Sequence, residues 1–98
     1  MNPVITSFGR GSWYPKGIVR LKNSCTEFNV TCQPFLNYPH GCPTHEVIPY
    51  AFKPHCIEAV KKYHDIVLWA DSSAWLMNDP HPIFDLIEKQ GYIIFDSG

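Results

Sequence analysis

The sequence predicts a small α/β fold: an open, mostly parallel sheet of about four strands with helices on its faces. Three observations lead there. Strand-like and helix-like segments alternate along the 98 residues. The helix-like segments fall between the strand-like ones, where crossovers joining parallel strands must lie. The run Asp65-Ile66-Val67-Leu68-Trp69-Ala70-Asp71-Ser72-Ser73 sets four apolar residues in a row before an acidic and hydroxyl cluster. Such an unbroken apolar run reads as a strand buried on both faces.

Size and composition bound the rest. A chain of 98 residues makes one small domain, and with 45% hydrophobic and 14% aromatic residues it can build a core. A net charge of −1 offers no basic surface for nucleic acid or an anionic membrane. No apolar run approaches the roughly 18–20 residues of a membrane helix. The start, Met1-Asn2-Pro3-Val4, lacks a basic region and a long apolar stretch, so no secretory signal is read and a cytoplasmic location is expected. Cys25, Cys32, Cys42 and Cys56 form no CxxC pair and are expected as reduced thiols. The sequon Asn29-Val30-Thr31 matters only in a secreted chain.

Pro3 to Phe8 is a β-branched and aromatic run that leaves into Gly9-Arg10-Gly11-Ser12. That loop fits neither GxGxxG nor a P-loop, so a flexible turn is its plain reading. Ser7, Arg10 and Trp13 nevertheless stand where the first βα loop of a nucleotide-binding sheet would stand. From Tyr14 to about Phe28, Ile18, Leu21, Cys25 and Phe28 recur at three and four. That is one helix face, with Pro15 in its first turn and Lys16, Arg20 and Lys22 on the solvated side. Asn29 to Phe35 reads as a second strand, and Pro34 marks an edge position or the strand's end.

Leu36 to Pro49 is a loop dense in Pro, Gly and His. His40, Cys42 and His45 are zinc-ligand types, but a fourth ligand would come from Cys32, His55 or Cys56 at irregular spacing, so zinc is not expected. Tyr50 to His64 is a helix with Phe52, Cys56, Ala59, Val60 and Tyr63 as its apolar stripe, starting near Pro49 or Pro54. His55 and Cys56 are neighbours about 100° apart on that helix and cannot face each other as a catalytic pair. Lys53 lies in its first turns, either a surface residue or a phosphate contact at the positive end of the helix dipole.

After the strand over 65–71, Asp79 can cap a helix with Pro80 or Pro82 in its first turn. Its inner side carries Ile83, Phe84, Leu86 and Ile87, and Gly91 ends it. Tyr92 to Phe95 is a last strand. The full order is Rossmann-like. In such sheets ligands sit outside the carboxyl ends of the strands, which puts Asp71 and Ser73 at the ligand edge.

Two stretches carry a resemblance. Cys42 to Pro54 contains Tyr50-Ala51-Phe52-Lys53-Pro54, and after Ile57-Glu58-Ala59 the chain reaches Ile66-Val67-Leu68-Trp69-Ala70-Asp71-Ser72-Ser73. Pro82 to Glu88, Gly91-Tyr92 and the opening Thr6-Ser7-Phe8-Gly9-Arg10-Gly11 complete it. The combination resembles the nucleotide-diphospho-sugar transferases of GT-A fold, in particular a glycosyltransferase-like group of microbes and viruses. In that family the strand ends in an Asp-x-Asp motif that binds a divalent metal and the sugar-nucleotide's ribose and diphosphate. The resemblance puts Asp71 at the first motif position, as nucleotide-sugar contact and Mn²⁺ or Mg²⁺ ligand. Ser73 falls where the family carries a second carboxylate, and a serine hydroxyl is the weaker ligand. Lys53 is implied at the diphosphate, with Thr6, Ser7, Phe8 and Gly9 lining the base pocket and Arg10 beside them.

The family's catalytic domain continues past the fourth strand into acceptor-binding segments. The resemblance therefore implies that 1–98 is a single nucleotide-sugar-binding domain, incomplete at its C-terminus and not competent alone for hexosyl transfer. Its partners would be a nucleotide-diphospho-sugar and an acceptor. An exposed sheet edge would favour a homodimer. The alternative is a non-catalytic Rossmann-like interaction module that pairs through that edge.

Overall fold

The computed structural model describes residues 2–90. Three strands and three helices alternate: β1 (Pro3–Phe8), α1 (Tyr14–Glu27), β2 (Cys32–Phe35), α2 (Phe52–Lys61), β3 (Ile66–Trp69) and α3 (His81–Gln90). The strands form a parallel sheet in the order β2-β1-β3, with Ile5 opposite both Cys32 and Leu68. The α/β class and the open parallel sheet agree with the expectation. The fourth strand expected over Tyr92–Phe95 and the helix stop at Gly91 lie outside the described residues.

The strand expected to be buried on both faces is not the most buried one. β1 takes the middle position, and Val4, Ile5, Thr6 and Ser7 are fully buried. The apolar run of β3 pairs only with β1 among the described residues, and Val67, Leu68 and Trp69 are half-buried. It is shorter than expected, Ile66–Trp69 rather than 65–71. An apolar run of four reports burial in general but not strand order, which depends on pairing partners distant in sequence.

β1 to β2 moves one way across the sheet and β2 to β3 moves back past β1. Crossovers of one hand then put their helices on opposite faces. In agreement, α1 packs on β1 and β2, while α2 packs on β1 and β3. One core unites Ile5, Leu21, Cys25, Val30, Ile66 and Phe84, joining α1 and α3 on the same face. The other face is covered by α2 through Cys56 and Val60.

Element ends have local causes. α1 stops in a left-handed Asn29 (φ 58°), where Val30 N–H donates to the Cys25 carbonyl at 2.8 Å and Asn29 N–H to the Thr26 carbonyl at 3.1 Å. This is a Schellman end, with Val30 and Cys25 as its apolar contact. Asn29 to Thr31 are thus a helix terminus and a link, and β2 begins only at Cys32. Pro34 sits in β2, which is an edge strand among the described residues, as expected. Asp79 caps α3 by accepting from His81 N–H at 3.0 Å, and the same contacts hold its carboxyl below the usual range. Two apolar expectations fail: Tyr63 is 74% exposed beyond the end of α2, and Leu86 points outward at 43%. Leu86 lies two residues, about 200°, from the buried Phe84. No helix among the described residues is long and apolar enough to cross a membrane, and all four cysteines are free thiols.

Candidate functional site

The loop leaving β2 crosses to α2 on one face of the sheet, whereas those leaving β1 and β3 lead to α1 and α3 on the other. Such a divergence opens a crevice at the carboxyl ends of the strands. An open cleft of about 650 Å³ lies there, walled by residues just past all three strands and by the start of α2. The period of two along a strand puts Phe8 and Trp69 on the α2 side of the sheet. Phe52 of α2 stacks on Phe8 (centroids 4.5 Å apart, planes 18° apart) and tilts against Trp69 at 6.1 Å. Tyr38 packs on Phe8 at 5.1 Å, and the Arg10 guanidinium lies 5.0 Å from the Tyr38 ring centre. One flank of the cleft is therefore an aromatic wall with a cation over it.

The charged pair adjoins this wall. Lys53 Nζ lies 4.0 Å from Asp71 Oδ1, and the Trp69 indole N–H donates to that same oxygen at 3.0 Å. The ammonium also lies 5.8 Å from the ring centres of both Tyr50 and Trp69. At side-chain exposures of 44% and 68%, this pair adds little to stability. Its ions stay available to a ligand. Tyr50 has φ 62°, unusual for a residue with a side chain, and its N–H donates to His45 Nδ1 at 3.0 Å. His45 N–H in turn donates to the Tyr38 hydroxyl at 3.1 Å. These bonds brace the long loop against the cleft.

The turn after β3 is fastened along α1. A Cβ added at Gly17 would stand 1.9 Å from the Ser72 carbonyl oxygen. Arg20 donates from its guanidinium to the Ser73 carbonyl oxygen at 2.8 Å. Leu76 N–H donates to the buried Ser24 hydroxyl at 2.9 Å. Positions 17, 20 and 24 share one helix face, so three consecutive attachments hold residues 72–76.

Of the residues singled out in the sequence, Phe8, Gly9, Arg10, Lys53, Asp71 and Ser73 line one cleft. Ser7 does not: it is fully buried under α1's side of the sheet, and its hydroxyl has no partner among the described residues. Sequence reasoning missed Tyr14, Tyr38, His45, Tyr50, Phe52, Trp69 and Ser72 as lining residues. Alternation along β3 already pairs Trp69 with Asp71; the Tyr38, His45 and Tyr50 contributions had no local signal.

The donor set bears on the metal question. Hard divalent cations take about six or more oxygens, usually with several carboxylates or waters. Among the described residues Asp71 is the single carboxylate lining the cleft, and its Oδ1 already faces an ammonium and an indole N–H. Nor do any three His, Cys, Asp or Glu among the described residues gather as a metal cluster. Of the zinc-type residues, His45 commits Nδ1 to Tyr50. Cys56 is fully buried, with its thiol pushed up to about 12 chiefly by burial.

These features define an α/β chain with a ligand-type cleft at the carboxyl edge of a parallel sheet. Comparisons with protein-family models, curated proteins and solved structures gave no match.

Proposed function

We propose that the chain binds a nucleotide-diphospho-sugar in the cleft at the carboxyl ends of β1 and β3, as a glycosyltransferase-like protein. One observation carries the reading. Asp71 and Lys53 form a half-exposed acid–base pair beside an aromatic wall at the carboxyl edge of a parallel sheet. Each part matches a part of such a ligand. The aromatic wall with Arg10 suits a base, which stacks on rings and under guanidinium planes. Lys53 supplies positive charge for the diphosphate, and Asp71 accepts from ribose or sugar hydroxyls.

In hexosyl transfer, negative charge builds on the departing diphosphate, and a fixed cation beside it lowers the barrier. In this reading Lys53 supplies that charge. Mn²⁺ or Mg²⁺, when bound, would add Lewis-acid neutralisation of the same oxygens. Asp71 would be its carboxylate ligand, with Ser73 a weak second donor. The donor set described above favours the lysine. No residue is assigned as a catalytic base.

Calorimetric titration of the 98-residue chain with UDP- and GDP-sugars, in EDTA and again in Mn²⁺, tests the reading. Binding in either medium supports it; a folded chain that binds neither donor in either medium contradicts it. Binding that survives EDTA assigns the charge to Lys53.

A second reading, a non-catalytic module pairing through a sheet edge, rests on the outer edge of β2, which has no neighbouring strand among the described residues. Pro34 removes one donor from that strand and blunts it. Sedimentation giving a stable dimer without donor affinity would favour this second reading.

A further inference from the structure

The turn over residues 72–75 separates the main cleft from a second, smaller groove of about 320 Å³ along the first two turns of α1. Its chemistry differs from its neighbour's. Lys16 and Arg20 lie one helical turn apart on its wall, and none of its described lining residues is acidic. Each cation is held by an indole. Lys16 Nζ lies 5.3 Å from the Trp13 ring centre, and the Arg20 guanidinium carbon lies 4.0 Å from that of Trp75. Arg20 is fixed further by its bond to the Ser73 carbonyl. Both indoles remain open to solvent, Trp13 at 77% and Trp75 at 47%. Two like charges at that spacing repel without an anion between them.

We infer that this groove binds an anionic saccharide, with Lys16 and Arg20 on its carboxylate or phosphate and Trp13 against its rings. Three observations choose the occupant. Paired cations without a lining carboxylate call for an anion, and charge-assisted bonds supply the attraction. The flat, exposed Trp13 indole in the groove wall offers an apolar face to a ring. Tyr14, Ser72 and Ser73 line both grooves, so an occupant here abuts the ligand of the main cleft. The anionic saccharide is then the acceptor of the proposed transfer, a role that rests on the nucleotide-sugar reading of the main cleft. Single-stranded nucleic acid also favours cations beside aromatics. The net charge of −1 and a patch of only two cations argue against it.

Titration of the full chain with trigalacturonate, its methyl ester and glucose 6-phosphate tests the inference, alongside a UDP-sugar. The groove predicts binding of the carboxylate probe, the phosphate probe or both, and whichever binds names the anion. The uncharged methyl ester should bind at least tenfold more weakly than trigalacturonate. Lys16→Gln and Trp13→Ala change exposed side chains outside the main cleft. Each should weaken the anionic probe about tenfold or more while leaving UDP-sugar affinity unchanged. Equal affinity for acid and ester, no binding of either anion, or no change in the two variants overturns the inference. So does tighter binding of a single-stranded oligonucleotide. Anionic sugar bound by a chain that binds no nucleotide sugar would leave this groove standing and remove the reading of the main cleft.

Discussion

The carbonyl oxygen of Ser72 occupies the space where any residue but glycine would carry its Cβ at position 17. That contact lets α1 lie directly against the turn that presents Asp71 and Ser73. With Arg20 on the Ser73 carbonyl and Ser24 on the Leu76 N–H, one helix face sets the position of the ligand edge of β3. Helix and turn are thus one mechanical unit.

Gly17→Ala therefore forces backbone from backbone, since neither partner is a flexible side-chain tip. The variant should lose about 1–3 kcal/mol of stability, the usual cost of overpacking. Urea unfolding checks this, and an unchanged midpoint would mean the turn yields freely. A folded Gly17→Ala protein should also show weaker sugar-nucleotide binding, because the turn moves with the helix.

Alkali should destabilise the chain through Cys56. Burial raises its thiol from the ordinary value of 9.0 to about 12. Its stabilising contribution is full below the unfolded value and is lost as pH rises toward the folded one. Between about pH 9 and pH 12 the unfolded chain releases a proton that the folded chain keeps. Stability then falls by up to about 1.4 kcal/mol per pH unit from this group. Urea midpoints at about pH 8 and about pH 10.5 measure the fall. Cys56→Ala should make the fall shallower although it lowers the starting stability.

The four thiols should also differ in reactivity. Cys25 is buried and its titration is pushed up, first by donating to Cys32 and then by burial. Cys32 is lowered, first by accepting that hydrogen bond, with Lys22 adding in the same direction. Iodoacetamide on the native chain should label Cys32 ahead of Cys25 and Cys56, because the thiolate is the nucleophile. Peptide mapping reads the order. Preferential labelling of Cys56 would contradict the burial described here.

Lys53→Ala removes the ammonium beside Asp71. A charge-assisted contact to a diphosphate is worth about 1.5–3 kcal/mol, so sugar-nucleotide affinity should fall about 10- to 150-fold. Because the pair is half-exposed, the thermal midpoint should move little. Calorimetry paired with thermal unfolding separates the two effects.

Much of this arrangement is legible in the residues. The Ile18, Leu21, Cys25 and Phe28 stripe marks α1, the β-branched run marks β1, and Asp79 before a proline marks the start of α3. Phe8, Gly9, Arg10, Lys53, Asp71 and Ser73 can be placed together because a parallel sheet gathers the carboxyl ends of its strands, and the loops leaving them, at one edge. The features that escape depend on tertiary context. Asn29 reads as strand by neighbourhood, yet it ends a helix because Val30 and Cys25 must meet. The β3 run reads as buried on both faces, yet Val67, Leu68 and Trp69 are half-buried and the fully buried strand residues are Val4 to Ser7 of β1. Tyr38, His45 and Tyr50 reach the cleft through a loop whose path is set by three side-chain contacts, and no periodicity encodes that path.

The most direct test of the central claim is calorimetric titration of a UDP-sugar and a GDP-sugar into wild type and Asp71→Ala. Asp71 lies at the ligand edge and is 68% exposed as a side chain, so the variant should fold as wild type does. Wild type should bind one donor saturably, and Asp71→Ala should lose at least tenfold in affinity. Equal affinity in the two proteins, or no binding by a folded wild-type chain, would contradict it.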